Sequence, residues 1–227
     1  MKTTKKSDAT NRRKVEHIEI INTDREVDRR KFYFDEVRLR HRALPELDLD
    51  AVDTSIDFMG KRLSCPLLIS SMTGGDHAMV RRINRNLAEA AERCGVAMGV
   101  GSQRVMFTHP KARASFALRD VAPTALLFAN LGAVQLNKGF GIDECKAAVE
   151  ALAADGLYLH LNPLQEAVQP EGDTQFGGLA KKIGDVARAL GTPVILKEVG
   201  AGLSREDVKL ALPHGITLSC REAGPAG

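Results

Sequence analysis

A repeated alternation of short apolar runs and longer polar-apolar segments constrains the fold of this chain more than any other feature. The alternation begins at Pro66, and the apolar runs are "PLLISSM", "VAMGVGSQR", "ALLFANLG", "LYLHLNP" and "PVILKEVG". These runs are continuously apolar rather than strictly alternating, which is typical of parallel strands covered on both faces. The sequence therefore predicts successive β-α units of an α/β protein.

The segments between the runs are predicted helices. In "DHAMVRRINRNLAEAAERCG" the apolar positions share one helical face and Gly95 supplies a stop; the face comprises Met79, Ile83, Leu87, Ala90 and Ala91. The later helices are "HPKARASFALRD", "IDECKAAVEALAADG", "TQFGGLAKKIGDVARALG" and "SREDVKLAL". Before the alternation, "TSIDFMGKRLSCPLL" predicts a hairpin around Gly60.

Polar residues at the strand ends decide between a barrel and a doubly wound sheet. The runs end in "SSMTGG", "GSQR", "ANLG", "HLNPLQE" and "KEVG". Functional residues at the carboxyl ends of many strands are typical of the TIM barrel. A dinucleotide fold would concentrate its signal in one G-x-G-x-x-G, whereas "MGVGSQR" has only G-x-G. We expect a TIM (β/α)8 barrel of which about five β-α units are present.

Composition and charge exclude several classes of protein. Aromatic residues make up 4% with no Trp, and the net charge is only +3, so we expect no nucleic-acid partner. The longest apolar run, "CPLLISSM", is far shorter than the roughly 20 residues that span a bilayer, which predicts no membrane segment. The four cysteines are widely separated, which argues against a zinc or disulfide framework and favours a cytoplasmic protein.

Several strand-end residues could either bind a ligand or have only a structural role. The glycines of "SSMTGG" allow close approach to a flat ring or a phosphate, or simply form a turn. Arg104 could donate two parallel hydrogen bonds to phosphate oxygens, or be a surface residue that pairs with a helix carboxylate. Asn130 offers the donor and acceptor that a flavin edge needs, although a satisfied buried Asn would look the same.

Lys197 lies inside an apolar strand, where an ammonium group must lose its charge or find a partner. It could form a Schiff base, pair with Glu198 or stabilise an anionic cofactor. Glu166 beside Gln165 suits Mg²⁺ or a helix start, and His160 could bind diphosphate or cap the core. Together these residues predict a barrel mouth that holds an anionic cofactor, a phosphorylated substrate and a metal.

A resemblance to a known family extends from about Arg13 to about Glu206. Its motifs include "FDEVRLRHRALPELD", "GVAMGVGSQR", "VILKEVGAGLSRE" and, most specifically, "HLNPLQEAVQPEGDTQF". These segments resemble the flavin-dependent type 2 isopentenyl diphosphate isomerases. The resemblance implies a homo-oligomeric barrel enzyme of isoprenoid biosynthesis that interconverts isopentenyl and dimethylallyl diphosphate. It implies FMN, a reductant such as NADPH, and Mg²⁺, with reduced flavin acting in acid–base fashion.

The same resemblance implies a role for each matching residue. The expected catalytic residues are Gln165, His160 and Asn162, and the expected metal ligand is Glu166. The expected flavin contacts are Ser71, Met72, Thr73, Ser102, Asn130 and Lys197. The expected substrate contacts are Arg13, Lys14, Ser102, Gln103, Arg104 and Gln165, which makes the basic arm "MKTTKKSDATNRRK" a diphosphate clamp.

The chain departs from the family pattern after residue 215. We expect residues 1–65 to form the basic arm and hairpin region, 66–215 the partial barrel, and 216–227 a tail unlike the family. A frameshift near Ile216 would explain the tail, and a truncated relative or a fragment remains open. The family pattern continues through three more β-α units, which carry the Gly-rich loops that hold the FMN phosphate. Without these loops we expect weak FMN retention and little turnover. Another FMN barrel, such as a 2-hydroxy-acid oxidase, and a non-catalytic remnant remain as alternatives.

Overall fold

The computed structural model describes Glu16 and residues 18–24, 37–72 and 74–216, together with the backbone of 218–220. The predicted clamp residues Arg13 and Lys14 and the predicted flavin contact Thr73 lie outside these described residues. None of the helices in the described part of the chain is long and apolar enough to cross a membrane.

Two sheets organise the described residues. A hairpin pairs β1 (Ile56–Phe58) with β2 (Lys61–Leu63) in antiparallel fashion, as the sequence predicts. Its turn uses positive φ angles of 51° at Met59 and 77° at Gly60, a conformation that favours glycine at the second position. The second sheet has six parallel strands in chain order: β3 (Leu68–Ile69), β4 (Ala97–Gly99), β5 (Leu127–Gly132), β6 (Gly156–Leu161), β7 (Val194–Glu198) and β8 (Leu218–Cys220).

Helices connect the successive parallel strands. They are α1 (Ala78–Cys94), α2 (Arg104–Thr108), α3 (Ile142–Leu152), α4 (Pro163–Val168), α5 (Leu179–Ala189) and α6 (Arg205–Ala211). Short 3-10 helices occupy Leu49–Ala51, Pro110–Phe116, Ala133–Asn137 and Leu212–His214. Parallel strands that follow one another in space as in sequence, with helices between them, are the arrangement of a TIM barrel. The predicted α/β barrel is confirmed as a partial one, and β8 adds a strand that the sequence analysis does not predict.

Helix α1 confirms its predicted stop and most of its predicted face, since Ala91 is buried and Met79, Ile83 and Leu87 are half-buried. Gly95 ends the helix in the left-handed conformation, with φ 62°. The fully buried face is Val80, Asn84, Ala88 and Ala91, whereas the predicted Ala90 is exposed. Asn84, a polar residue, belongs to the buried face and donates from Nδ2 to the carbonyl of Ser115 at 2.9 Å. An apolar pattern cannot identify such a position.

The segment "HPKARASFALRD", predicted as a helix, forms a 3-10 helix instead of an α-helix. Helix α2 lies before it, and Pro110–Phe116 forms a 3-10 helix. Pro110 has no N–H group and restricts the residue before it, so the α2 ladder ends at Thr108 and a tighter helix begins.

The strands separate two parts of the core. Phe128, Tyr158 and Ile195 belong to a cluster that also contacts Phe58 and Met59 of the hairpin. The intervening positions of the same strands, such as Leu127, Leu157 and Leu196, pack in the cluster that includes helix residues. The hairpin therefore closes one end of the barrel interior with apolar side chains, and polar residues follow towards the carboxyl ends of the strands.

Candidate active site

Three polar side chains meet where β5, β6 and β7 end. In the strand register Gly132 pairs with His160 and His160 pairs with Lys197, so these residues lie at one level. Asn130 lies one level lower, paired with Tyr158. In-register neighbours on parallel strands point to the same side of the sheet. Asn130 and Lys197 are only 3% and 2% exposed, so the predicted flavin contacts sit in the barrel wall rather than on its surface.

Asn130 is held by hydrogen bonds on every side. Its Nδ2 donates to the carbonyl of Val100 at 3.0 Å, and its Oδ1 lies 2.8 Å from Nδ1 of His160. Its backbone N–H donates to Oε1 of Gln103 at 2.9 Å, and its carbonyl accepts from the Gln103 N–H at 2.8 Å. The orientation of its carboxamide is therefore fixed by its neighbours.

Gln103 has a supporting position. The residue is fully buried, and its Nε2 donates to the carbonyl of Ala148 on α3 at 2.8 Å while its Oε1 accepts from Asn130. Both polar atoms of the side chain bond inside the protein. This arrangement indicates that Gln103 holds Asn130 in place. It argues against the predicted contact of the Gln103 side chain with substrate.

Asn162, Gln165 and Glu166 form a second group immediately after β6. Asn162 occupies the N-cap position of α4, so the first helical turn brings Gln165 and Glu166 close to it. Its Nδ2 donates to Oε1 of Gln165 at 3.0 Å and to Oε1 of Glu166 at 2.9 Å. Its Oδ1 is buried and has no hydrogen-bond partner among the described residues. Three residues predicted to act together are therefore in direct contact.

Asp173 completes this group, and the sequence analysis did not identify it. Its carboxylate is 5% exposed and accepts from Arg104 at 3.0 Å and Gln135 at 3.2 Å. Its backbone N–H donates to Oε2 of Glu166 at 2.5 Å. The signal that could have found it is the acidic residue within "QPEGD", the end of the most specific motif. Asp173 links the predicted substrate residue Arg104 to the predicted metal ligand.

The remaining predicted residues line the neighbouring strand ends. Ser71 and Ser102 are half-buried, and Met72 is 48% exposed. A Cβ on Gly99 would collide with Oγ of Ser71 and lie 2.7 Å from the Tyr158 ring. Glycine at this position therefore lets Ser71 approach the sheet.

The carboxylate next to Lys197 is directed away from it. Oε2 of Glu198 accepts from the N–H groups of Gly200, Ala201 and Gly202 at 2.7, 2.5 and 3.0 Å. Burial raises the pKa of Glu198, but the backbone donors outweigh it and hold the pKa below the ordinary 4.5. The ammonium of Lys197 lies 3.5 Å from the carbonyl oxygen of Glu198.

No group of three or more His, Cys, Asp or Glu side chains among the described residues could hold a metal ion. A divalent ion at Glu166 would therefore take most of its ligands from water or from a bound anion. Mg²⁺ sites in proteins are commonly of this kind, with one or two carboxylates, several waters and substrate phosphates.

The fold and the polar strand ends define a partial β/α barrel with a candidate site at the carboxyl ends of its strands, and the comparisons agree with this fold. Residues 10–110 match the family described as FMN-dependent dehydrogenase. Among solved structures, the chain is similar to that of mandelate oxidase with 3,3-difluoro-2-hydroxy-3-phenylpropionic acid. The TM-score is 0.51, and the identity is 19% over 76% of this chain and 52% of the mandelate oxidase chain. At this identity the likeness concerns the fold alone.

The sequence relatives are more specific. The chain is 60% identical over 204 residues to the isopentenyl-diphosphate delta-isomerase of Paracoccus zeaxanthinifaciens, which is 90% of this chain and 58% of that protein. It is 55% identical over 204 residues to the protein of that name from Hydrogenovibrio crunogenus, over 90% of this chain and 60% of the relative. The resemblance to isopentenyl diphosphate isomerases is thus confirmed by homologues. The chain spans about three-fifths of the length of these relatives.

Proposed function

We propose that the protein is an FMN-dependent isomerase that interconverts isopentenyl diphosphate and dimethylallyl diphosphate. The observation that carries the proposal is the grouping of Asn130, His160 and Lys197 at the carboxyl ends of adjacent strands. The identity of 60% to a protein of that name supplies the reaction.

The residues around Lys197 fit a flavin. Its buried ammonium suits an anionic ring, because a cation removed from water gains most from a nearby negative charge. Asn130, Ser71, Met72 and Ser102 would supply hydrogen bonds and contacts around the ring, together with Thr73. Reduced FMN, when bound, would supply the acid–base chemistry at the double bond, with NADPH as the reductant.

The group above Asn162 fits a hydrated divalent ion. Glu166 offers a carboxylate that Asn162 and Asp173 hold in place. The buried Oδ1 of Asn162, without a partner among the described residues, is an acceptor suited to a metal-bound water. We propose that Glu166 binds Mg²⁺ together with diphosphate oxygens.

The anionic substrate would meet Arg104 and Gln165. Arg104 is anchored by Asp173 through one nitrogen, which leaves the rest of its fork for phosphate oxygens. Oε1 of Gln165 accepts from Asn162, so its Nε2 is the end directed to a ligand. Arg13 and Lys14 would close over the diphosphate. Assembly into a homo-oligomer and a cytoplasmic location complete the proposal.

An anaerobic assay tests the proposal. The protein is mixed with FMN, NADPH, Mg²⁺ and isopentenyl diphosphate, and the formation of dimethylallyl diphosphate is followed by nuclear magnetic resonance. We expect slow conversion, in keeping with the little turnover that the sequence predicts, and Glu166→Gln and His160→Gln should abolish it. The exposed Glu150→Gln on α3 is the matched control and should retain full conversion. Absence of conversion, or hydrogen peroxide formation with a 2-hydroxy acid in air, would contradict the proposal.

A further inference from the structure

Asp173 lies between two positively charged side chains at the barrel mouth. One of its oxygens is 3.0 Å from Nη1 of Arg104, and the other is 3.4 Å from Nζ of Lys138. The carboxylate is buried, whereas the side chains of Arg104 and Lys138 are 28% and 38% exposed. A buried carboxylate therefore brings together two cations that both reach solvent.

The ammonium of Lys138 keeps most of its capacity for hydrogen bonds. Its ion pair with Asp173 is the only polar contact that its side chain makes with the described residues. At 3.4 Å this contact is longer than an ordinary hydrogen bond from nitrogen, which is about 2.7–3.2 Å. An ammonium has three N–H donors, so a half-exposed one with a single long contact can direct them to a bound anion.

The loop that carries Lys138 is fixed against the loop that carries Asp173. Nδ2 of Asn137 donates to two carbonyl oxygens in residues 175–177, at 2.7 and 2.9 Å. The Lys138 N–H donates to the Gln135 carbonyl at 2.8 Å, and Nε2 of Gln135 donates to Asp173 at 3.2 Å. The base of the Lys138 side chain is therefore held beside Asp173, while its long stem stays adjustable.

The charges around Asp173 favour an anion that carries more than one negative charge. Two carboxylates belong to this group, that of Asp173 and that of Glu166, which the Asp173 N–H holds. Arg104 and Lys138 balance these two charges, and the divalent ion proposed at Glu166 would add two positive charges. The excess suits a diphosphate, whose two phosphoryl groups can each meet a cation.

We propose that Lys138 is a further anion-binding residue, which contacts one phosphoryl group of a diphosphate ligand while Arg104 contacts the other. Asp173 is then a positioning residue that holds both cations towards one anion. The class of ligand rests on the proposed function. The direct contact with Lys138 adds a binding residue that comes from the loop after β5, where the sequence analysis predicts none.

Calorimetric titration of the full chain with inorganic diphosphate and Mg²⁺ tests the inference without flavin or turnover. We expect Lys138→Met to weaken diphosphate binding about tenfold or more, because the lost hydrogen bond joins two charged groups. Lys138→Gln should behave in the same way, and Lys138→Arg should restore part of the affinity because it keeps the charge. The affinity for FMN, followed by absorption, should not change in Lys138→Met.

Lys146→Met is the matched control, because it removes the same charge from the exposed side of α3 and should leave diphosphate affinity unchanged. Equal diphosphate affinity in the Lys138→Met and Lys146→Met variants would overturn the inference, as would no diphosphate binding by the unmodified protein. A matching loss of FMN affinity in Lys138→Met would assign the lysine to the flavin phosphate instead. Diphosphate binding that depends on Lys138, without isomerisation in the anaerobic assay, would contradict the proposed function alone.

Discussion

The carboxylate of Asp173 joins two parts of the candidate site. It accepts from Arg104 at 3.0 Å, and Lys138 lies 3.4 Å from its other oxygen. Its N–H holds Glu166. A buried carboxylate of this kind needs charged or polar donors, because an unpaired charge away from water is very unfavourable. Asp173 thus sets the distance between the proposed anion-binding and metal-binding groups.

Asp173→Asn should lower the free energy of unfolding by about 1–3 kcal/mol, because an amide has no charge and turns an N–H towards donors. Urea denaturation near neutral pH measures the change. Asp185→Asn is the control, since Asp185 forms an exposed ion pair with Arg188 on α5 and should contribute less than about 1 kcal/mol. Equal effects of the two substitutions would contradict the role given to Asp173.

A turn after α4 brings Asp173 back to Glu166. A Cβ on Gly172 would collide with the Glu166 carbonyl oxygen and lie 2.6 Å from its carbonyl carbon. These are backbone atoms, so no side chain can rotate away to make space. The close return of the chain therefore depends on glycine at this position.

Gly172→Ala should destabilise the protein by about 1–3 kcal/mol through this overlap and should release Glu166 from the Asp173 N–H. Thermal unfolding reports the stability, and amide hydrogen exchange at Asp173 reports the lost bond. Gly177→Ala in the same loop is the control, because a Cβ there meets no atom within 4 Å. Protection of the Asp173 amide in both variants would show that the turn does not depend on Gly172.

Elements could be predicted from the sequence where one periodicity dominates. The five predicted runs each contain a parallel strand, from Leu68–Ile69 to Val194–Glu198, because two-sided burial leaves a continuous apolar signal. The burial of Asn84 on α1 could not be predicted, since it depends on a tertiary partner, the Ser115 carbonyl. The strand at Leu218–Cys220 depends on pairing with β7 rather than on an apolar run.

In the candidate site, the sequence predicts groupings of near neighbours but not contacts between distant residues. Asn162, Gln165 and Glu166 are close in sequence, and a helix start brings them together, so their grouping was predictable. The roles of Gln103 and Asp173 depend on contacts with residues far along the chain, namely Asn130 and Arg104. Local sequence does not contain that information.

The hairpin and the barrel are joined by charge as well as by apolar packing. Asp155, at the start of β6, lies 2.7 Å from Lys61 of β2 and 2.8 Å from Arg119. It also accepts from the Leu127 N–H at 2.8 Å. Burial raises the pKa of Asp155, but the bonds from Lys61, Leu127 and Arg119 outweigh it and hold the pKa below the ordinary 3.8.

A lowered pKa gives stability that is complete above the ordinary pKa and is lost as the pH falls through the folded one. We therefore expect Asp155→Asn to lower the free energy of unfolding near neutral pH by about 1–3 kcal/mol. The difference from the unmodified protein should shrink below pH 3.8. Denaturant titrations across this range measure it. Asp57→Asn, which removes an exposed hairpin ion pair with Arg62, should have little effect at any pH.

The proposed flavin site lies at the polar ends of β5, β6 and β7, with Lys197 as its buried cation. Titration of the protein with FMN, followed by the shift of the visible absorption spectrum, measures whether FMN binds there. We expect saturable binding that Lys197→Met weakens by about ten- to a hundredfold, since a charged hydrogen bond contributes about 1.5–3 kcal/mol. Lys146→Met, on the exposed side of α3, should bind FMN like the unmodified protein. No spectral shift, or equal FMN affinity in the Lys197 and Lys146 variants, would contradict the account.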